Sequence, residues 1–192
     1  MNMIEYNAHN GIGILRVNRP EARNALKEAA QRGFAAAVQT AADDPTLRAL
    51  IITGTGRAFV AGGDLRELYA RPSKETGAQL NYIMRDALQQ LTALPCPVIG
   101  AVNGDAAGGG MEILTACDLR LAVPQAHIRF VQVRMGLTSG WGGTARLVRL
   151  VGQSRAMDLM LNGRVLSAAE AQQIGFLHRL TEPDEEALTA AQ

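Results

Sequence analysis

The sequence predicts one α/β (α+β) domain. Three features carry that expectation: compact apolar runs with strand character recur along the chain, each is followed by a glycine cluster and then by helical spacing, and no linker or low-complexity segment interrupts the order. With 192 residues, 47% of them hydrophobic, and a mean hydropathy near zero, the chain can bury a real core and is too short for two ordinary domains. The expected domain therefore runs over 1–192.

Residues Ile4 to Val17 alternate around His9-Asn10-Gly11, the pattern of a β-hairpin, and Asn18-Arg19-Pro20 ends it. From Lys27 to Ala42, alanine-rich spacing with Phe34 and Val38 four apart gives a helix that Asp43-Asp44-Pro45 stops. Leu47 to Thr53 contains the run ALIIT and forms a buried strand ahead of the loop Gly54 to Phe59. A helix begins after Asp64, whose carboxylate suits an N-cap, and a longer one fills Glu75 to Leu94 before Pro95-Cys96-Pro97. Val98 to Val102 is the next buried strand. The order then repeats, with a short helix Gly110 to Cys117, strands Leu119 to Val123 and Ile128 to Val131, and a helix Thr144 to Val151. Two more helices cover Arg155 to Leu161 and Ala168 to Ile174, the second opened by Ser167 with Glu170 three residues on, a capping box.

Composition excludes several classes of function. The formal charge is +1, from 19 basic and 18 acidic side chains spread along the chain, so no field gathers nucleic acid or an anionic membrane. The apolar stretches fall far short of the roughly 20 residues that span a bilayer, and MNMIEYNAHNG lacks a basic-then-apolar signal layout, so a cytoplasmic location is expected. Cys96 and Cys117 form no CxxC and are expected to be reduced and buried. His9, His127 and His178 lie far apart without paired-ligand spacing, so no metal site is expected.

The glycines cluster beside apolar elements, as happens where backbone approaches a ligand. In the segment Val98 to Glu112 a buried strand runs through Gly108-Gly109-Gly110 into a helix, which aims unpaired N–H groups and the positive end of a dipole at one point. A P-loop would need Lys-Ser or Lys-Thr after the last glycine, where Met111-Glu112 stands, and no GxGxxG occurs. Glu112, in the first helical turn, by itself reads as an acid that complements the dipole. About fifty residues upstream, Phe59 to Asp64 with Gly62-Gly63 repeats the arrangement after its own strand. Two such turns together can supply the two converging donors of an oxyanion hole, each worth roughly 3 kcal/mol in a transition state.

In order and spacing, Asn18-Arg19-Pro20 with Asn24-Ala25-Leu26, Phe59 to Asp64, Pro97 to Asn103 with Gly108 to Glu112, Ala116-Cys117-Asp118, and Gly140 to Leu147 resemble the crotonase (enoyl-CoA hydratase/isomerase) superfamily from about residue 5 to 180. The resemblance implies a spiral of repeated ββα units, assembly as trimers or hexamers, and a bent CoA thioester as substrate, with no cofactor beyond that CoA moiety. By position, Gly63 and Gly109 match the residues whose N–H groups hold the thioester oxygen. Ala22, Arg23, Ala61, Asp64 and Leu65 match loop positions that touch CoA. Glu112 matches the first of two glutamates that flank the substrate in family hydratases, while the second position falls on Gln132. Trp141 and Gly108 are expected to help wall the acyl pocket, and Asp118 and Arg120 to be structural.

Gln132 has a chemical consequence, because an amide neither takes nor gives a proton and loss of a positioned acid or base costs about a hundred- to ten-thousand-fold. Decarboxylation of a short alkylmalonyl-CoA asks least of side chains, and Ala116 to Leu121, Ile128 to Val131 and Trp141 to Val148 look closer to ethylmalonyl-CoA and methylmalonyl-CoA decarboxylases. That reaction calls for Glu112 kept protonated by burial. Enoyl-CoA hydration or isomerisation is the alternative, and a non-catalytic CoA-ester-binding protein the alternative of another class. The chain stops soon after Thr181 to Ala187, where such proteins usually continue, so the resemblance implies a shortened C-terminal helical region.

Overall fold

The strand β1 (Ile4–His9) pairs antiparallel with β2 (Ile12–Val17), and His9 faces Ile12 across the connection. Asn10 and Gly11 therefore make the whole turn, with φ of 50° and 80°. Positive φ at both central residues is what a two-residue hairpin of native twist requires, and an Asn-Gly pair meets it with little strain. The computed structural model describes residues 2–70 and 72–192.

After a 3₁₀ turn at Pro20–Ala22 comes α1 (Glu28–Ala42), which buries Ala30, Phe34, Ala37, Val38 and Ala41 along one stripe. β3 (Ala49–Gly54) is followed by α2 (Leu65–Ala70) and α3 (Lys74–Leu91), and α3 packs on α1. The α3 helix starts one residue before the expected Glu75, because the Ser73 side chain accepts a hydrogen bond from Thr76 N–H. It ends at Leu91, before the expected Leu94. The remaining elements are β4 (Val98–Val102), β5 (Ala106–Ala107), α4 (Gly109–Thr115), β6 (Leu119–Ala122), β7 (His127–Arg129), α5 (Gly143–Val151), α6 (Gln153–Leu161), β8 (Val165–Ser167), α7 (Ala168–Gln173), β9 (Arg179–Leu180) and α8 (Ala187–Ala191). The expected capping box is present: Ser167 and Glu170 exchange side-chain and backbone hydrogen bonds at the start of α7.

Among the described residues the strands form two sheets. In the larger, of order β1-β2-β3-β4-β6-β9, every pair after the hairpin is parallel. The smaller, β5-β7-β8, continues a ladder of single bridges, Leu26 to Gly63 and Ala58 to Asp105. Successive turns of the chain thus lay a strand in the large sheet and a shorter stretch on the ladder beside it, as expected for a mixed spiral of strand and helix units. The glycine-bearing segments after β3 and β4 become neighbours on that ladder, with Phe59 N–H donating to Asp105 O at 2.9 Å and Ala107 N–H to Val60 O at 3.0 Å.

A single core of Leu, Ile, Val and Phe side chains fills the space between the sheets and helices. It also holds the guanidinium of Arg120, 1% exposed, which donates to the carbonyls of Phe176, Leu114 and Cys117. The carbonyls at the end of α4 are thereby satisfied by a side chain, and burial lowers the Arg120 pKa. Asp118 accepts from Val98 N–H at 2.8 Å, so both residues hold the strands rather than a ligand. Both cysteines are buried free thiols, and desolvation pushes Cys117 up to about 12. No helix among the described residues is long and apolar enough to cross a membrane.

Candidate active site

The bridge between Leu26 and Gly63 uses Gly62 O and Asp64 N–H, with Leu26 N–H donating to Gly62 O at 2.7 Å and Asp64 N–H to Leu26 O at 3.0 Å. The N–H of Gly63 points the other way and has no acceptor among the described residues. Gly109 is the first residue of α4, so its N–H is one of the donors a helix start leaves unpaired, and it also has no acceptor among the described residues. The two turns touch: a Cβ on Gly62, whose φ is 91°, would lie 2.7 Å from Gly109 N. Only glycine permits that approach.

The indole of Trp141 packs over both turns, 2.2 Å from the Cβ position of Gly109 and 3.9 Å from that of Gly63. Trp141 is 5% exposed, so it belongs to the core and walls the site at once.

Glu112, also 5% exposed, sits one turn into α4. Its Oε2 accepts hydrogen bonds from Ser139 Oγ at 2.5 Å, Trp141 N–H at 2.8 Å and Gly143 N–H at 2.9 Å, while Oε1 accepts one from Gly140 N–H at 3.2 Å. Three backbone amides and the Ser139 hydroxyl thus surround the carboxyl group. The loop 139–143 folds over the side chain with its amides inward. Arg146 braces the same loop, donating to Trp141 O at 2.7 Å and Thr115 Oγ1 at 3.1 Å. Burial lowers the Arg146 pKa and the nearby Glu112 charge raises it.

These groups open on a cleft of about 410 Å³, whose lining includes Ala61, Gly63, Asp64, Leu65, Gly108, Gly109, Glu112, Gln132 and Trp141. Ala22 and Arg23 do not line it. They lie on the adjoining loop, tied to it by the hydrogen bond from Ala61 N–H to Arg23 O at 3.1 Å. The Asp64 side chain turns to structural work: it takes Arg19, Arg66 N–H and Glu67 N–H, and the Arg19 hydrogen bond holds its carboxyl below the usual range. The strand expected over Ile128 to Val131 ends as β7 at Arg129, and Gln132 begins a 3₁₀ turn, Gln132–Met135, and lines the cleft.

Three residues take a role that the sequence reading did not give them. Gln31 lines the cleft from α1, 3% exposed, and only its position on the stripe of Phe34 and Val38 signals that a polar group is buried there. Asn24 is wholly buried and ties Arg19 N–H to the carbonyls of Thr55, Ala58 and Phe59. Ser139 has no sequence signal beyond lying next to Gly140. Among the described residues no group of three His, Cys, Asp or Glu side chains could hold a metal ion.

The family model described as enoyl-CoA hydratase/isomerase matches residues 7–191. This chain belongs to the enoyl-CoA hydratase/isomerase family. Among the relatives of this family member, a crotonyl-CoA hydratase of Syntrophomonas wolfei is 40% identical over 178 residues, 91% of this chain and 67% of that protein. The putative enoyl-CoA hydratase/isomerase YngF of Bacillus subtilis is 38% identical over 173 residues, 90% of this chain and 66% of that protein. The crystal structure of an enoyl-CoA hydratase from Bacillus anthracis superposes with a TM-score of 0.90 at 33% identity, covering 95% of this chain and 71% of that one. The chain spans about two thirds of the length of these curated relatives.

Proposed function

We propose that this family member binds a short-chain acyl-CoA, holds its thioester oxygen between Gly63 N–H and Gly109 N–H, and hydrates an enoyl thioester with Glu112 as the base. The observation that carries the reading is the pair of backbone donors on touching turns, without an acceptor among the described residues, beside the carboxyl group of Glu112. Preorganised donors in a site screened from water stabilise an oxyanion as it forms, at no cost of reorganisation. Glu112 takes a proton from water as the water oxygen bonds to C3. The C2–C3 π pair moves to give the enolate, whose oxygen enters the hole, and the same proton then passes from Glu112 to C2. Gln132 lines the cleft and would orient the water without exchanging a proton. The names of the hydratase relatives favour this reading.

Gln132 favours a second reading, decarboxylation of a short alkylmalonyl-CoA. There the bond to the leaving carboxylate supplies the electrons of the enolate, and a single proton is delivered afterwards. Mass spectrometry of crotonyl-CoA, methylmalonyl-CoA and ethylmalonyl-CoA after incubation with the protein and with Glu112→Gln separates the two. Gain of water on crotonyl-CoA, lost in the variant, is the expected result. Loss of carbon dioxide from an alkylmalonyl thioester replaces hydration by the second reading, and binding without turnover of any member would make the chain a CoA-ester binder.

A further inference from the structure

The two oxygens of Glu112 are held unequally. Oε2 carries three hydrogen bonds of 2.5 to 2.9 Å, whereas Oε1 carries one at 3.2 Å. A carboxylate oxygen with three donors around it has no lone-pair direction left for a substrate proton, and one with a single long bond has. Of the three donors on Oε2, two are backbone amides, and Ser139 is the only side chain. Its orientation is fixed from the other side, because Thr144 N–H, in the first turn of α5, donates to Ser139 Oγ at 3.1 Å. With its acceptor side engaged, the single hydroxyl proton of Ser139 is directed at Oε2.

We infer that Ser139 is a positioning residue that anchors Glu112 through Oε2, so that Oε1 is the oxygen that exchanges the proton. The inference rests on the proposed function, since it needs Glu112 to be the base. Ser139 touches no reacting atom in this scheme. It acts by limiting the rotation of the carboxylate that the backbone amides of the glycine-rich loop would alone hold less tightly. A hydrogen bond to a charged group is among the stronger ones, so its loss is felt as a loss of geometry at a catalytic group.

The test compares Ser139→Ala and Ser139→Thr with the unaltered protein by turnover of crotonyl-CoA and by equilibrium binding of butyryl-CoA, which cannot react. In Ser139→Ala, kcat falls roughly ten- to a hundred-fold while affinity for butyryl-CoA stays within about twofold, and Ser139→Thr recovers most of kcat. A kcat equal to that of the unaltered protein, or a matching loss of butyryl-CoA affinity, overturns the inference. A second measurement is independent of turnover. The infrared carboxylate stretch assigned to Glu112 by difference against Glu112→Gln shifts in Ser139→Ala and returns in Ser139→Thr. An unmoved band overturns the anchoring. If Glu112→Gln hydrates crotonyl-CoA at full rate, the proposed function fails, and the inference about Oε1 fails with it, while the infrared band still reports whether Ser139 holds the carboxylate.

Discussion

The indole of Trp141 fills the space that a side chain on Gly109 would need, since a Cβ built there meets Cζ3 at 2.2 Å. The three nearest atoms to that position all belong to the indole, so the ring is the part that must give. Gly109→Ala is expected to push Trp141 off both turns and tilt one of the two proposed oxyanion donors. Hydration of crotonyl-CoA should fall by about a hundred- to a thousand-fold, the scale of losing one such donor, and overpacking should cost about 1 to 3 kcal/mol in thermal unfolding. An active, equally stable variant would show that the hole lies elsewhere.

Gln132 stands where an acid or base could reach the same cleft. Replacing it by glutamate restores a group able to carry a proton, and the expected gain in crotonyl-CoA hydration is about a hundred-fold. Steady-state kinetics of Gln132→Glu decide it. A variant no faster than the parent would mean that the 3₁₀ turn points this position away from the reacting carbon.

Gln31 is 3% exposed, and its Oε1 has no hydrogen-bond partner among the described residues. Its Nε2 donates to Leu26 O at 3.2 Å, but that carbonyl also accepts from Asp64 N–H and loses little without the amide. Gln31→Leu, which removes a stranded acceptor and keeps the volume, is expected to stabilise the fold by about 1 kcal/mol. Melting temperature should rise by roughly 2 to 4 °C. A drop instead would indicate that the acceptor is satisfied in solution.

Asn24 has the opposite balance. It is fully buried with φ of 59°, and its side chain makes four hydrogen bonds that join the loop after β2 to the loop after β3. Asn24→Ala strands those backbone groups and places an alanine in the left-handed region, which it disfavours. Denaturant unfolding should show a loss of about 3 to 4 kcal/mol, and the Arg23 to Ala61 link at the edge of the cleft should loosen with it.

His178 accepts a hydrogen bond on Nδ1 from Arg120 N–H at 3.2 Å. Burial, and then the charge of Arg120, lower its pKa below the ordinary 6.5. The unfolded chain therefore takes up this proton at a higher pH than the folded one. The contribution of a neutral His178 to stability is complete above about pH 6.5 and is lost as pH falls through that value towards the folded pKa. Melting temperature measured from pH 8 down to pH 5.5 should fall more steeply for the parent than for His178→Gln, whose amide oxygen can take the same backbone bond without titrating. Parallel curves would remove His178 from the acid response.

Much of this protein is written in local patterns. The hairpin at Asn10-Gly11, the helix stripe of Phe34 and Val38, the capping box at Ser167 and the glycines beside Glu112 depend on neighbours in the chain, and each is found where its pattern stands. The short strands β5, β8 and β9 were not legible, because two or three residues show no periodicity and become strands only when a ladder partner is placed beside them. The same holds for the 3₁₀ turn Gln132–Met135, which no local pattern announced.

The sequence by itself determined that two glycine turns each follow a buried strand and that one carboxylate follows the second turn. Only the tertiary structure decided that the turns touch, that Trp141 roofs them, and that Glu112 meets four donors from a loop 27 to 31 residues further on. The reason is physical: hydrogen bonds within a turn or helix are set by backbone geometry over a few residues, whereas the carboxylate's partners and the unpaired state of Gly63 and Gly109 arise from how separate turns of the spiral stack.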